Sequence, residues 1–137
     1  MTRLASLVLV VRDLDRALAV YEQSLGFTRL EPASAVPGLG ARHIYLSAQN
    51  CLIELLEPHD ETKPPGIFLR DRGEGVFAFS VGVDDPGRTR ERLARVGVEV
   101  VDPGDVPSTH PAARCYVRPR DAQGVLVEVG PIDVPTE

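Results

Sequence analysis

The chain has 137 residues, of which 43% are hydrophobic, and its formal net charge is −5. This length fits one domain of ordinary size, and the apolar content excludes a wholly disordered chain. The mild acidity gives no reason to expect nucleic acid as a partner, because nucleic-acid-binding proteins present a basic patch. Two cysteines are too few for a disulfide framework, and no apolar run reaches the roughly 18 residues of a membrane span. We therefore expect a cytoplasmic protein without a nucleic-acid or membrane partner.

The first half of the chain predicts a strand, a helix and three further strands. Residues 4–12 are apolar and β-branched, which is typical of a buried strand. Asp13 is placed to accept hydrogen bonds from the first free amides of a helix, and Gly26 is placed to end that helix in a left-handed conformation. The remaining elements predicted for this half are a strand over 27–32, a Pro- and Gly-rich loop over 32–40, and two strands within 41–58.

The second half repeats this order of elements. Asp85 is placed to cap the next helix, and Pro86 takes its first position, where a missing amide hydrogen costs little. The strands of this half are predicted over 76–83, 98–103, 113–119 and 124–131. The repeat is supported by three residue pairs at nearly equal spacing, since a chance match would drift. These pairs are Asp13 and Asp85, Gly26 and Gly97, and Glu54 and Glu128.

Each half is therefore predicted to be a βαβββ module. The first module covers about 3–57, the second covers about 75–131, and a Pro-rich linker over 58–74 joins them. One such module is too small to bury both faces of its sheet. We expect the two tandem modules to form a curved eight-stranded mixed sheet with the helices on its convex side, which is an α+β fold. The concave side of that sheet would then offer a pocket for a small molecule.

Four stretches of the sequence carry a resemblance to a known family. They are LVLVVRDLDRALAVYEQSLGF, CLIELLEP, GEGVFAFSVGVDD and GVLVEVGP, and together they span nearly the whole chain. Their order and spacing resemble the vicinal oxygen chelate (VOC) superfamily, which includes glyoxalase I, bleomycin-resistance proteins, extradiol dioxygenases and methylmalonyl-CoA epimerase. The segment EPHDETKPPGIFLRDRGEG is most similar to the epimerase branch. The resemblance implies a single glyoxalase-like domain over 1–137 and a homodimer.

The resemblance also implies where a metal site would lie, because metal-dependent members of the family hold a divalent ion with two side chains from each half. Carried over position by position, these ligands fall on Ser6, Glu54, Ala78 and Glu128. Two of these positions usually hold histidine, so the site is degenerate and lacks the imidazoles on which Zn²⁺, Ni²⁺ and Co²⁺ sites of this family depend. We expect no cofactor. A divalent metal in a rearranged site, for example His43 with both glutamates, is the less favoured alternative.

Alternation of side chains along the strands predicts which residues face the pocket. If Glu54 and Glu128 point inward, apolar residues such as Ile44, Leu46 and Cys115 face the helices. The candidate catalytic residues are Glu54, Glu128 and His43. The candidate substrate-binding residues are Ser6, Tyr45, Ala78, Ser80, Arg114, Tyr116 and Arg118.

Two classes of function stay open for this pocket. The first is a metal-independent isomerase, epimerase or lyase, in which a carboxylate and a carboxylic acid move a proton across a small carbon acid. The second is a non-catalytic protein of the bleomycin-resistance kind that binds a small molecule unchanged. A structural role also stays open for the glutamates, as family relics in salt bridges with Arg114 or Arg118, and for His43 as a structural histidine.

Overall fold

The computed structural model describes residues 1–105 and 113–132 of the chain. These residues form eight strands and three α-helices with both parallel and antiparallel pairing, which confirms the predicted mixed α+β architecture. The chain divides into two compact units, one over Ser6–Phe77 and one that begins at Ala78 and includes Met1–Ala5. The elements are β1 (Thr2–Val10), α1 (Leu14–Leu18), β2 (Thr28–Arg29), β3 (Ser34–Val36), β4 (Ala41–Ala48), β5 (Cys51–Pro58), α2 (Pro64–Arg72), β6 (Gly75–Val83), α3 (Pro86–Arg95), β7 (Cys115–Val117) and β8 (Leu126–Pro131).

The sheet of the first unit is built around β5. This strand pairs in parallel with β1 and antiparallel with β4, and β4 in turn pairs antiparallel with β2 and β3. Val8, Glu54 and Tyr45 are register partners across β1, β5 and β4. Since side chains alternate along a strand, these three residues define one face of the sheet, and Ile53 and Leu55 lie on the other.

Helix α1 covers the face that carries Ile53 and Leu55. An apolar cluster joins its residues to the side chains of β4 and β5 that point toward it, and Ile44 and Leu46 are among them, as the alternation predicted. His43, Tyr45 and Glu54 consequently lie on the opposite face. The buried residues of the cluster are Val11, Leu14, Ala17, Leu18, Ile44, Leu46, Ile53 and Leu55.

Two carboxylates hold the start of α1. Asp13 accepts a hydrogen bond from the amide of Arg16 at 3.2 Å, as predicted for an N-cap. Glu57 of β5 accepts a second one from the amide of Leu14 at 2.8 Å. Both bonds satisfy amides that have no partner inside the helix. The second bond also ties α1 directly to the central strand of the sheet.

Two segments of the first unit differ from the prediction. The predicted helix changes to a π-helical turn over Ala19–Ser24, although Gly26 adopts the expected left-handed conformation with φ of 81°. The segment predicted as a loop over 32–40 contains β3, because residues 34–36 are extended and pair with β4. This pairing satisfies backbone groups along the edge of β4, which composition alone does not reveal.

The segment predicted as a linker over 58–74 contains helix α2. Pro64 and Pro65 occupy the first two helical positions, where a missing amide hydrogen is not needed. Gly66 follows them and lies directly against the backbone of Asp60. The prolines therefore begin a helix within the predicted linker.

In the second unit, β8 pairs in parallel with β6 and antiparallel with β7. Asp85 caps α3 by accepting a hydrogen bond from the amide of Arg88 at 3.1 Å, and Pro86 takes the first helical position, both as predicted. Leu93 of α3 packs against a buried cluster on one face of the strands. Within the described ranges, no helix is long and apolar enough to cross a membrane. The buried residues of the cluster are Val83, Cys115, Val117 and Val129.

The strand predicted over 98–103 is reduced to a single β-bridge. Val101 donates its amide to the carbonyl of Tyr116 and accepts from the amide of Tyr116, both at 2.9 Å. Pro103 follows and has no amide hydrogen to extend a ladder. The eight strands are therefore reached with β3 in the first unit and without a strand at this position.

We predict that Gly66→Ala destabilises the protein by about 1–3 kcal/mol, the usual cost of overpacking. A methyl group at this position would overlap the backbone carbonyl of Asp60, so α2 or the preceding turn would have to move. Gly38→Ala is the matched control, because a methyl group there meets no atom within 4 Å. Urea unfolding followed by circular dichroism measures both changes. Equal midpoints for the two variants would contradict the close approach.

Candidate functional site

Glu54 lies at the centre of the first unit's sheet and is almost completely buried. Its side chain is 1% exposed, on the face opposite α1 and between Val8 and Tyr45. Oε2 of Glu54 lies 2.5 Å from Nδ1 of His43 on the neighbouring strand β4. A carboxylate that has been removed from water needs a donor of this kind. The two predicted catalytic residues of the first unit are thus one hydrogen-bonded pair.

His43 is more exposed than the carboxylate to which it is hydrogen-bonded. Its side chain keeps 15% of its surface exposed, compared with 1% for Glu54. Its ring meets the ring of Tyr45 edge to face, with centroids 5.0 Å apart and planes at 61°. The carboxylate and the phenol ring together fix the orientation of the imidazole. Nε2 is the ring nitrogen that Glu54 does not engage.

Glu128 lies at the corresponding place in the second unit. It is 4% exposed, and its register partners are Ser80 of β6 and Tyr116 of β7, each 2% exposed. The hydroxyl of Ser80 donates a hydrogen bond to Oε2 of Glu128 at 2.9 Å. A hydroxyl donor stabilises the charged form of a buried carboxylate without adding a charge of its own.

The two units repeat the same triplet of register partners. We call Val8, Glu54 and Tyr45 the first triplet, and Ser80, Glu128 and Tyr116 the second triplet. In each one a glutamate sits between a residue of the first strand and a tyrosine of an antiparallel neighbour. The hydrogen-bond donor differs, because it is His43 from β4 in the first unit and Ser80 from β6 in the second.

Ser6 and Ala78 occupy equivalent positions next to the two triplets. Ser6 pairs with Leu52, which lies two residues before Glu54 on β5. Ala78 pairs with Leu126, which lies two residues before Glu128 on β8. Both are buried, with 7% and 1% exposure. Alternation places them on the same face as the glutamates, so one hydroxyl and one methyl group stand next to the carboxylates.

The two arginine candidates lie at the ends of a strand that is shorter than predicted. Arg114 precedes β7 and is exposed, and its amide donates to the carbonyl of Val129 at 2.7 Å. Arg118 follows β7 and is half-buried at the start of a short turn over Pro119–Asp121. Its Nε is buried and has no hydrogen-bond partner among the residues that the structure describes. A role of either guanidinium in substrate binding stays a prediction.

The sequence predicted both glutamates, both tyrosines, His43 and Ser80 as site residues, but not the hydrogen bonds between them. His43 and Ser80 were predicted to face the pocket independently of the glutamates. Their pairing with Glu54 and Glu128 depends on which residues stand opposite each other across the strands. Strand patterning predicts the face of a side chain but not its cross-strand neighbour.

The side chains at the four family ligand positions do not fit an imidazole-containing metal site. Ala78 offers no donor atom, and the hydroxyl of Ser6 is a weak ligand for a transition metal. Oε2 of Glu54 is engaged by His43, and Oε2 of Glu128 is engaged by Ser80. Across 1–105 and 113–132, no three His, Cys, Asp or Glu side chains are grouped closely enough to hold a metal ion.

Residues 3–129 match the profile of the Glyoxalase/Bleomycin resistance protein/Dioxygenase superfamily. The match covers most of the chain, so this chain belongs to that superfamily, as the resemblance predicted. The α+β fold and the order of its elements agree with this membership.

Individual relatives point to the epimerase branch. The chain is 31% identical to the ethylmalonyl-CoA/methylmalonyl-CoA epimerase of Cereibacter sphaeroides over 129 residues, which cover 93% of this chain and 96% of that protein. Among solved structures, a hypothetical protein of Bacillus halodurans has a TM-score of 0.81 and 28% identity, covering 99% of this chain and 98% of that one. The methylmalonyl-CoA epimerase of Mycobacterium tuberculosis has a TM-score of 0.72 and 28% identity, covering 97% and 89%.

We predict that Ser80→Ala lowers the free energy of unfolding by about 1–3 kcal/mol, because the buried carboxylate of Glu128 loses a hydrogen bond. Ser47→Ala on β4 is the matched control, since that serine is half-buried in a strand of the other unit, and a change within about 0.5 kcal/mol is expected there. Denaturant titration measures both variants. A Ser80→Ala variant as stable as Ser47→Ala would contradict the role of this bond.

We predict that Cys115 resists alkylation in the native protein. Burial raises the pKa of the Cys115 thiol, and of the half-buried Cys51 thiol as well, so both carry less reactive thiolate at neutral pH than a free cysteine. Iodoacetamide labelling at pH 8 with peptide mass spectrometry should modify Cys51 slowly and Cys115 more slowly. Labelling should speed up for both as the pH rises, and urea should make the two rates equal. Fast labelling of native Cys115 would contradict its burial.

Proposed function

We propose that this protein is an epimerase or a related isomerase that moves a proton at an acidic carbon of a small thioester, without a resident metal ion. The observation that carries this proposal is the pair of buried glutamates at equivalent register positions, each with its own hydrogen-bond donor. Burying a carboxylate is costly, so two such residues outside the helix-facing clusters suit a chemical task. Similarity to an acyl-CoA epimerase over nearly the whole chain supports a CoA ester as the substrate class.

The proposed reaction needs a base and a stabilised enolate. A carbon next to a thioester carbonyl loses its proton to a base within hydrogen-bonding reach, and the negative charge moves to the carbonyl oxygen. The resemblance implies that in metal-dependent members of the family a metal ion stabilises this negative charge. Here we propose that a hydrogen-bond donor on the same face as one of the glutamates does so, and the candidates are Tyr45, Arg114, Tyr116 and Arg118.

Several properties of this proposal come from the resemblance and the strand pattern. Ser6, Tyr45, Ala78 and Ser80 stay predicted substrate-binding residues. The homodimer, the cytoplasmic location and the module boundaries at about 3–57 and 75–131 stay predictions. Oligomeric state is measured by sedimentation of the purified protein, and a monomer would contradict the first of them.

A non-catalytic binding protein is the second candidate. Ser6 and Ala78 favour it, because they replace the two imidazole ligands that usually help to hold the family's electrophile with a hydroxyl and a methyl group. A protein that only sequesters a small molecule needs a pocket but neither a base nor an electrophile. Turnover therefore separates the two candidates.

We predict that the chelator-treated protein exchanges the C2 hydrogen of methylmalonyl-CoA with D₂O. Mass spectrometry of the thioester measures the exchange against a protein-free blank. Glu128→Gln should slow it by about 100-fold or more, the usual contribution of one acid–base group. Glu91→Gln on the exposed surface of α3 is the matched control and should exchange at the wild-type rate.

Three other results would overturn the proposal in different ways. Tight binding of the thioester by calorimetry without exchange would favour the binding protein. Exchange that appears only after a divalent metal is added would favour a rearranged metal site. If the protein shows no exchange and no binding of the thioester, thioesters are excluded as the ligand class.

A further inference from the structure

We propose that His43, through its Nε2 atom, removes the substrate proton, and that Glu54 is a positioning residue that holds the imidazole for this step. This assignment rests on the proposed function and gives the two residues of the first unit different roles. Sequence patterning nominated Glu54 as an acid–base group in its own right. The structure instead shows an almost completely buried carboxylate that is hydrogen-bonded to a more exposed ring.

The burial of the two side chains supports this order. Glu54 is 1% exposed, and the exposed fraction of His43 is 15%. The carboxylate is already 2.5 Å from Nδ1 of the ring. The imidazole is therefore the more accessible of the two hydrogen-bonded groups.

The hydrogen bond also decides which nitrogen is available. In the proposed arrangement Glu54 accepts this bond and Nδ1 of His43 carries the hydrogen, since an ionised carboxylate only accepts hydrogen bonds. The lone pair of the neutral ring is then on Nε2, directed away from Glu54. The edge contact with Tyr45 restrains rotation of the ring, which keeps Nε2 in one direction. A carboxylate behind an imidazole that orients it and faces its positive charge is the arrangement used by hydrolytic triads.

The proposed step is balanced within this pair and the substrate. The Nε2 lone pair forms an N–H bond, the C–H bond next to the thioester carbonyl breaks, and its electron pair is left on the substrate as an enolate. The ring becomes an imidazolium whose Nδ1–H remains bound to Glu54. The enolate then regains a proton at the same carbon, from the imidazolium or from a second acid, and the ring returns to its neutral form by losing its proton to the carbon or to water.

The first test needs no variant of the pair and no activity. Long-range ¹H–¹⁵N correlation spectra of the wild-type protein report which ring nitrogen carries the hydrogen, and the His43 signal is assigned by its absence in His43→Ala. We expect the Nδ1–H form for neutral His43 and a return to the Nε2–H form, which predominates for neutral histidine in water, in Glu54→Ala. A wild-type ring in the Nε2–H form would overturn the proposal whatever the protein catalyses.

The second test measures C2 hydrogen exchange of methylmalonyl-CoA in D₂O. His43→Ala should lower the exchange rate by about 100-fold or more, and added imidazole should restore part of it by taking the place of the missing ring. Glu54→Gln should retain measurable exchange, because the base is still present. His59→Ala is the matched control, since His59 is exposed and lies in another segment, and it should exchange at the wild-type rate.

The outcomes separate this inference from the proposed function. Wild-type exchange that persists in His43→Ala but disappears in Glu54→Gln would make Glu54 the base and overturn the inference alone. A rate lost in His43→Ala but unaffected by imidazole would assign the ring a structural role. No exchange in the wild type would overturn the proposed function and, with it, the catalytic role of His43, while the spectra would still report how Glu54 holds the ring.

Discussion

Two carboxylates removed from water impose the main constraint on this molecule. Each one needs a hydrogen-bond donor within reach, and the donor has to come from a neighbouring strand at a fixed register. In the first unit His43 of β4 meets Glu54 of β5, and in the second unit Ser80 of β6 meets Glu128 of β8. A slip of one residue in either pair of strands would turn the donor to the other face and leave the carboxylate without that bond.

The helix-facing side of each sheet supplies the force that holds this register. Burial of apolar side chains between α1 and the strands β4 and β5, and between α3 and the strands of the second unit, penalises any shift that would expose them. Glu57 adds a direct connection, because it accepts a hydrogen bond from the amide of Leu14 at the start of α1. The apolar face therefore stabilises the geometry of the polar face, although the two faces share no side chain.

The two units keep one frame and place different chemistry in it. Each triplet has a glutamate between a first-strand residue and a tyrosine, which follows from the repeat. The hydrogen-bond donors differ between the units. An imidazole can take up and release a proton near neutral pH, whereas a serine hydroxyl in the same role can only donate a hydrogen bond. The first unit is for this reason the better candidate for acid–base work. In the second unit the hydroxyl of Ser80 donates to Glu128.

Much of this arrangement is predictable from the sequence. Apolar alternation, the capping residues Asp13 and Asp85 and the repeat predicted the α+β class, the helices α1 and α3 and the faces of the strands, because these depend on local periodicity and on residues close in the chain. Helix α2 within the predicted linker was not foreseen, because proline can begin a helix as well as interrupt one. The strand predicted over 98–103 was wrong, because a strand requires a partner along its length. The sequence by itself determined which side chains share the polar face. Only the tertiary structure decided that Glu54 is bound to His43 and Glu128 to Ser80, because cross-strand neighbours are set by the register of strands that are distant in sequence.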